Sequence, residues 1–289
     1  MNIKNNYEQK EYISGLYTRA ASIYDRVGFK SFSYFFGKCL VELISIPKKA
    51  KVLDIAAGRG ASLFPALKKV GPEGEVIGID ISKGMVKETN NDIIKRGFSN
   101  GKMINMDAEN LKFENNTFDI VMCGLSVFLF PNYEIALKEA FRVLKPYGSI
   151  GISTFCSEYS SGYSLKWQKA LLLGQVAREP IKEEELMMLF KLKKVDIPEF
   201  STVKGMKNIL IKTGFKEVYN IIKEKEFICE NAEEWWKYLW STGSRSVLEK
   251  ISLDNLVKLK ERTIKKFNKY SLKDGLHQKI KVIFTFGKK

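Results

Sequence analysis

The chain has 289 residues, 45% of them hydrophobic and 28% charged, with a formal net charge of +15. That length can bury a full core and suits one α/β domain carrying insertions or a lid. The opening MNIKNNYEQKEY lacks an apolar h-region and no apolar run reaches about eighteen residues, so neither a secretory leader nor a membrane span is expected.

Residues 1–48 read as a polar tail followed by helices, an N-terminal helical cap. Tyr17, Ala20, Ala21, Tyr24 and Val27 recur at helical spacing, and Phe32, Phe35, Phe36, Leu40, Leu43 and Ile44 form a second stripe ended by Pro47. Residues 49–155 alternate apolar runs with helical patterns, which implies βαβ units and a parallel sheet. Strands are expected near 51–55, 76–80, 102–105, 118–123 and 149–154. Pro65 should delay or kink the first helix of this region, and Ser82 and Asn132 suit the N-caps of the next two. The last of these would bury Leu137, Phe141 and Leu144 before Pro146 stops it.

Residues 156–200 leave that pattern. They open with Ser157, Ser160, Ser161 and Gly162 and then run helical through Trp167, Leu171 and Leu172, and again through Leu186 to Leu192. Residues 201–289 return to it, with a helix at 203–213 capped by Gly214 and a strand near 215–228. A second helical insertion spans 230–272. It starts with the Trp235 to Trp240 cluster and continues in a long helix whose Leu256, Leu259, Thr263, Phe267 and Tyr270 share a face. Asp274-Gly275 makes a turn, and IKVIFTF at 280–286 is the last strand. Both insertions are too long to be connectors and too apolar to be disordered. They are expected either to close over a ligand crevice as a lid or merely to bury a sheet edge.

The most informative stretch is VLDIAAGRG at 52–60. An apolar strand ends in a small-residue turn, where a backbone can approach a ligand, and a helix follows. Asp80 closes the next apolar run twenty residues after Gly60, about the spacing at which an acid meets a ribose diol. A dinucleotide fingerprint would place a third glycine where Leu63 stands, which argues against NAD. The stretch resembles motif I of the class I S-adenosylmethionine methyltransferases. VIGIDISKGM at 76–85, INMDAENLKF at 104–113, FDIVMCGLS at 118–126 and ALKEAFRVLKPYG at 136–148 continue the resemblance in family order. In style it is similar to the ubiquinone/menaquinone methyltransferase-like (methyltransferase type 11) small-molecule branch, over roughly residues 17–155.

The resemblance implies a Rossmann-like α/β fold whose seven-stranded sheet has its last strand antiparallel, inserted between strands five and six. It implies S-adenosyl-L-methionine (SAM) as cofactor, S-adenosyl-L-homocysteine as product and direct displacement at the sulfonium methyl of a small-molecule acceptor. The implied cofactor set is Tyr24, Asp54, Ala56, Gly58, Gly60, Asp80, Ile81, Met85, Asp107, Ala108 and Cys123. Within it, Gly58 and Gly60 leave room, Asp54 sits near the ammonium, Asp80 accepts from the ribose hydroxyls, and Asp107 accepts from the adenine amine or caps a helix. Tyr24-Asp25 resembles a pair that the branch places near the methionine end, or is an aromatic packing residue beside a surface acid. Arg59 and Tyr147 depart from the pattern, at a position often small and at the first glycine of Lys-Pro-Gly-Gly.

A catalytic base is not identified. His277, Tyr17 and Tyr163 are the weak candidates, with Tyr270 a further acceptor-side group, and the lone histidine reads better as a surface or structural residue. No metal-ligand spacing involves Cys39, Cys123, Cys156 or Cys229, and a reducing cytoplasm is their simplest home. The positive charge is overwhelmingly lysine and scattered, so a specific nucleic-acid partner is not expected. Monomer and homodimer both stay open. The rivals are an RNA or protein methyltransferase and a non-catalytic SAM-binding protein. Against the first, the loop after the fourth strand reads Cys123-Gly124-Leu125-Ser126 rather than Asn/Asp-Pro-Pro-Tyr.

Overall fold

The computed structural model describes residues 3–29, 31–156 and 197–289. The expectations for Ser157 to Leu192, Tyr163 and Trp167 among them, lie outside the described residues. Two helices, α1 (Ile3–Ala20) and α2 (Phe32–Leu43), precede β1 (Lys51–Ile55). Then follow α3 (Leu63–Val70), β2 (Glu75–Asp80), α4 (Lys83–Lys95), β3 (Gly101–Asn105), β4 (Phe118–Gly124), a 3-10 turn at Val127–Leu129, α5 (Tyr133–Val143) and β5 (Leu144–Phe155). After the undescribed segment come α6 (Ile197–Ser201), α7 (Val203–Thr213), β6 (Lys216–Cys229), α8 (Ala232–Ser241), α9 (Arg245–Leu248), α10 (Leu253–Tyr270) and β7 (Leu276–Lys288). Among the described residues no helix is long and apolar enough to cross a membrane.

The seven strands form one sheet of order β3-β2-β1-β4-β5-β7-β6. The first five are parallel, and β7 runs antiparallel to both β5 and β6. This is the Rossmann-like sheet with an inserted, antiparallel last strand. Its apolar runs are continuous because both faces are covered. Val52, Val76, Ile120 and Met122 join one buried cluster with α2, α3 and the helices between β6 and β7. Leu53, Ile55, Ile77, Ile79 and Val121 join the other, with α5 and α7. The direction of chain progression reverses between β1 and β4, so the carboxyl ends of these strands flank the crevice where such sheets bind ligands.

Local chemistry explains most boundaries. Pro65 lies in the first turn of α3, where its missing N–H costs nothing, so that helix starts late without kinking. Ser82 caps α4, its hydroxyl accepting from the Met85 amide. Gly214 ends α7 at φ 109°. Asn132 holds the N-cap position of α5 without a cap bond; its side-chain amide donates to Glu109 instead. Leu144 opens β5, paired with Phe118, rather than ending α5.

The expected polar tail is helix. The α1 segment has only a thin apolar stripe, and its order comes from docking rather than from propensity. Leu16 and Ala20 are buried. The Ser14 hydroxyl donates to the Ile81 carbonyl at 2.9 Å, and the Thr18 and Ser82 hydroxyls lie 3.0 Å apart. A Cβ on Gly84 would stand 2.6 Å from the Thr18 carbonyl oxygen, so glycine lets α1 lie directly on α4.

Candidate functional site

The site grows from three strand ends. At the end of β1, Ala56 (φ 53°) and Gly58 (φ 53°) turn the chain through left-handed conformations, and after β4 Leu125 (φ 51°) does the same. Two non-glycine residues held there cost about 1–3 kcal/mol each, strain that concentrates where a ligand is gripped. A Cβ on Gly58 would meet nothing within 4 Å, so a cradle lies open over the turn. At the end of β2, Asp80 accepts from the Gly58 and Ser82 amides at 2.9 Å each, and so clamps the turn to the next strand.

Two cavities meet over this turn. The first, about 110 Å³, is lined by Tyr17, Tyr24, Ala56, Gly58, Asp80, Ile81, Met85, Asp107 and Ala108. Lys10 and Ile13 of α1 roof it, and Leu125, Ser126, Leu129 and Phe130 close its far side. The second, about 240 Å³, shares Tyr24, Ala56, Gly58, Gly124 and Leu125 with the first and extends to Asp25, Arg26, Ser33, Arg59, Ser62 and Arg96.

Of the predicted set, Tyr24, Ala56, Gly58, Asp80, Ile81, Met85, Asp107 and Ala108 converge on the first cavity. Three do not line it. The Gly60 Cβ position is filled by Phe64 and Thr89, so this glycine serves packing. Cys123 is buried among core residues and contacts the Ser126 hydroxyl at 3.2 Å, while Gly124, Leu125 and Ser126 meet the cavity. Asp54 lies within β1, fully buried, and lines neither cavity. Its Oδ2 accepts from Ser62 at 2.7 Å, and its Oδ1 has no partner. Asp107 accepts from the Glu109 amide and pairs with Lys10 at 2.8 Å, in a turn where no helix begins.

Of the catalytic candidates, Tyr17 packs edge-on to Tyr24 in the roof at 6.1 Å, and burial raises its hydroxyl's pKa. His277 sits on β7 between Asp274 at 2.9 Å and Glu226 at 3.4 Å and lines neither cavity. Tyr270 ends α10, part-exposed, and lines neither. Sequence reasoning missed Lys10 and Ile13, because the helix that carries them reads as a tail.

The insertion at 230–272 holds the roof rather than forming it, which corrects its expected place over the glycine turn. None of its residues lines either cavity. Trp235 and Tyr238 pack edge-on against Phe29, and Glu234 accepts from the Gly28 amide. Arg245 donates to the Arg19 carbonyl, and Arg19 pairs with Glu249 at 2.6 Å. An aromatic helix seeks the nearest apolar surface, and here that is the α1–α2 turn.

Burial governs the acids. It pushes Asp54 up to about 7, with neighbouring Asp80 adding to the rise, and pushes Asp80 and Asp25 each up to about 6. An open cradle above Gly58 and an acid at the end of β2 fit an adenosyl donor, and Asp54, buried in β1 just before the turn, keeps one carboxylate oxygen without a partner.

Sheet order and pocket together define a class I α/β methyltransferase. The chain belongs to the methyltransferase-domain family, whose model matches residues 46–226, and it is a SAM-dependent methyltransferase. It is 37% identical to the aklanonic acid methyltransferase DauC of Streptomyces sp. (strain C5) over 145 residues, half of this chain and 66% of that one. It is 28% identical to the nocamycin O-methyltransferase of Saccharothrix syringae over 83% of this chain and 85% of that one. In fold it is similar to the Haemonchus contortus phosphoethanolamine N-methyltransferase 2 solved with S-adenosyl-L-methionine. There the TM-score is 0.52 at 18% identity, covering 88% of this chain and 52% of that one.

Proposed function

We propose that the protein methylates a small organic acceptor held in the second cavity, with the donor's adenosine in the first. The observation that carries this is the junction. Both cavities open onto Tyr24, Ala56, Gly58, Gly124 and Leu125, so a donor and an acceptor can meet there end to end. When bound, SAM supplies an activated methyl on its sulfonium. The protein's work is alignment and exclusion of water. Asp80 would take the ribose hydroxyls, Asp107 and the Ala108 amide the adenine, and Asp54 the ammonium. Tyr17 and Tyr24 cover the junction. Where the acceptor must lose a proton, Asp25 is placed to take it: it lines the second cavity, with its carboxylate held by the Ser33 and Tyr34 amides.

The names of DauC and of the Saccharothrix relative place their methyl on aklanonic acid and on an oxygen of nocamycin, which supports a small acceptor here. The four cysteines are free thiols, in keeping with a cytoplasmic enzyme. Calorimetry with S-adenosylhomocysteine and NAD tests the donor site, and labelled SAM with a panel of phenols, quinones and organic acids tests transfer. Homocysteine-nucleoside binding without NAD binding, and label moving to at least one acceptor, is expected. NAD binding overturns the donor assignment, and donor binding with no transfer across the panel overturns the enzyme reading in favour of a SAM-binding protein.

A further inference from the structure

Arg59 stands at a position often small or Thr in the resembled family, and the structure gives it an unusual setting. Its side chain is only 7% exposed. One terminal nitrogen, Nη2, donates to Asp92 at 2.6 Å, while Nε and Nη1 are buried without a hydrogen-bond partner. Glu88 approaches Nη1 no closer than 3.6 Å. Buried guanidinium donors left unmade are costly, and an arginine held this way is suited to an oxyanion. Arg59 lines the second cavity together with Arg26 and Arg96. Arg26 reaches the same Asp92 oxygen only at 3.5 Å, and Arg96 lies over the Phe64 ring at 3.8 Å.

The arginines outnumber the carboxylates that line the cavity by three to two, with Glu88 outside the lining and 3.6 Å from Arg59. The carboxylates lining the cavity are Asp25 and Asp92. Asp25 is engaged by two backbone amides, and Asp92 is shared between two arginines. The donor's own amino-acid end is a poor match, because three guanidiniums attract its carboxylate but repel its ammonium. A ligand with net negative charge and no ammonium gains from all three.

We propose that Arg59, flanked by Arg26 and Arg96, anchors a carboxylate of the methyl acceptor, making this enzyme selective for small organic acids. This rests on the reading that the acceptor occupies the second cavity. The anchor holds the acid end at the arginine wall and leaves the rest of the molecule to reach the junction at Tyr24 and Leu125.

The test is calorimetric titration of the protein saturated with S-adenosylhomocysteine, using benzoate as probe and benzamide as its neutral isostere. Benzoate is expected to bind at least about tenfold more tightly than benzamide, as a charge-assisted pair should. Arg59→Gln is expected to remove that preference while S-adenosylhomocysteine affinity stays within about twofold. Arg26→Gln and Arg96→Gln, at exposed positions that tolerate change, are expected to reduce it and keep the test alive should Arg59→Gln not fold. Equal binding of benzoate and benzamide to the wild type overturns the proposal, as does unchanged benzoate binding in all three variants. If Arg59→Gln instead loses S-adenosylhomocysteine affinity and keeps benzoate binding, the wall serves the donor's carboxylate and the proposal fails. Failure of the wild type to bind S-adenosylhomocysteine would refute the methyltransferase reading itself, a separate result.

Discussion

Asp80 shows how much one side chain can be asked to do. It clamps the Gly58 amide and the Ser82 amide, lines the first cavity, and would accept the ribose hydroxyls. Asp80→Ala should therefore weaken S-adenosylhomocysteine binding by roughly 1.5–3 kcal/mol, the scale of lost charge-assisted hydrogen bonds. Calorimetry giving wild-type affinity would remove Asp80 from the donor site. Tyr147 is a simpler case. It stands 88% exposed at φ 65°, a left-handed position where a Cβ is strained. Tyr147→Gly relieves about 1–2 kcal/mol of left-handed strain against about 0.5–1 kcal/mol of added unfolded-state entropy, so it should stabilise the fold by up to about 1 kcal/mol, raising Tm by up to about 3 °C with no change in ligand binding; a lower Tm would show that the exposed ring contributes packing. Spacing pointed to Asp80 because it sits at a strand end, where chain position fixes spatial position, whereas Asp54 and Asp107 were singled out by the family resemblance. It could not separate Gly58 from Gly60, since two glycines in one turn look alike until the neighbours that fill or vacate the Cβ site are known.

The elements of the sheet were legible because strands buried on both faces leave uninterrupted apolar runs, as at 76–79 and 120–123. The order of the last strands came from resemblance rather than from any pattern in IKVIFTF. The helix α1 was not legible. Its register is written in Ser14, Thr18 and the space above Gly84, contacts about 65 residues apart that no periodicity announces. That dependence makes the roof separable from the core. Gly84→Val would place a branched side chain against the Thr18 backbone and should lift α1 from α4, weakening S-adenosylhomocysteine binding by roughly 1–2 kcal/mol. Far-UV circular dichroism should show the sheet unchanged. Unaltered affinity would mean that Ile13 and Tyr17 do not cover the bound donor.

At the scale of the whole molecule, the helices between β6 and β7 brace the N-terminal segment beside two buried acids, Asp54 and Asp80, and a half-buried one of its own, Asp25. Burial raises Asp54 to about 7 and both Asp80 and Asp25 to about 6, against an ordinary value of 3.8. A folded-state pKa above the unfolded one means that the native protein holds the proton more tightly. The stability these groups contribute is full below about pH 4 and is lost as pH rises through about 6 to 7. Donor binding should reverse the preference at two of them, because an ammonium near Asp54 and ribose hydroxyls on Asp80 favour the ionised carboxylates. Binding at pH 6 should therefore release protons, and the gain in Tm from saturating S-adenosylhomocysteine should grow between about pH 5 and 7 and level off near pH 8. Taking the gain rather than the bare Tm isolates the site from carboxylates such as Glu75, Asp119 and Glu139, whose lysine and arginine partners hold them below their ordinary values. Asp54→Asn should flatten the upper part of the rise, where the higher of the two acids titrates. A gain in Tm independent of pH from 5 to 8, or proton uptake on binding in buffers of differing ionisation enthalpy, would show that neither acid ionises to meet the donor.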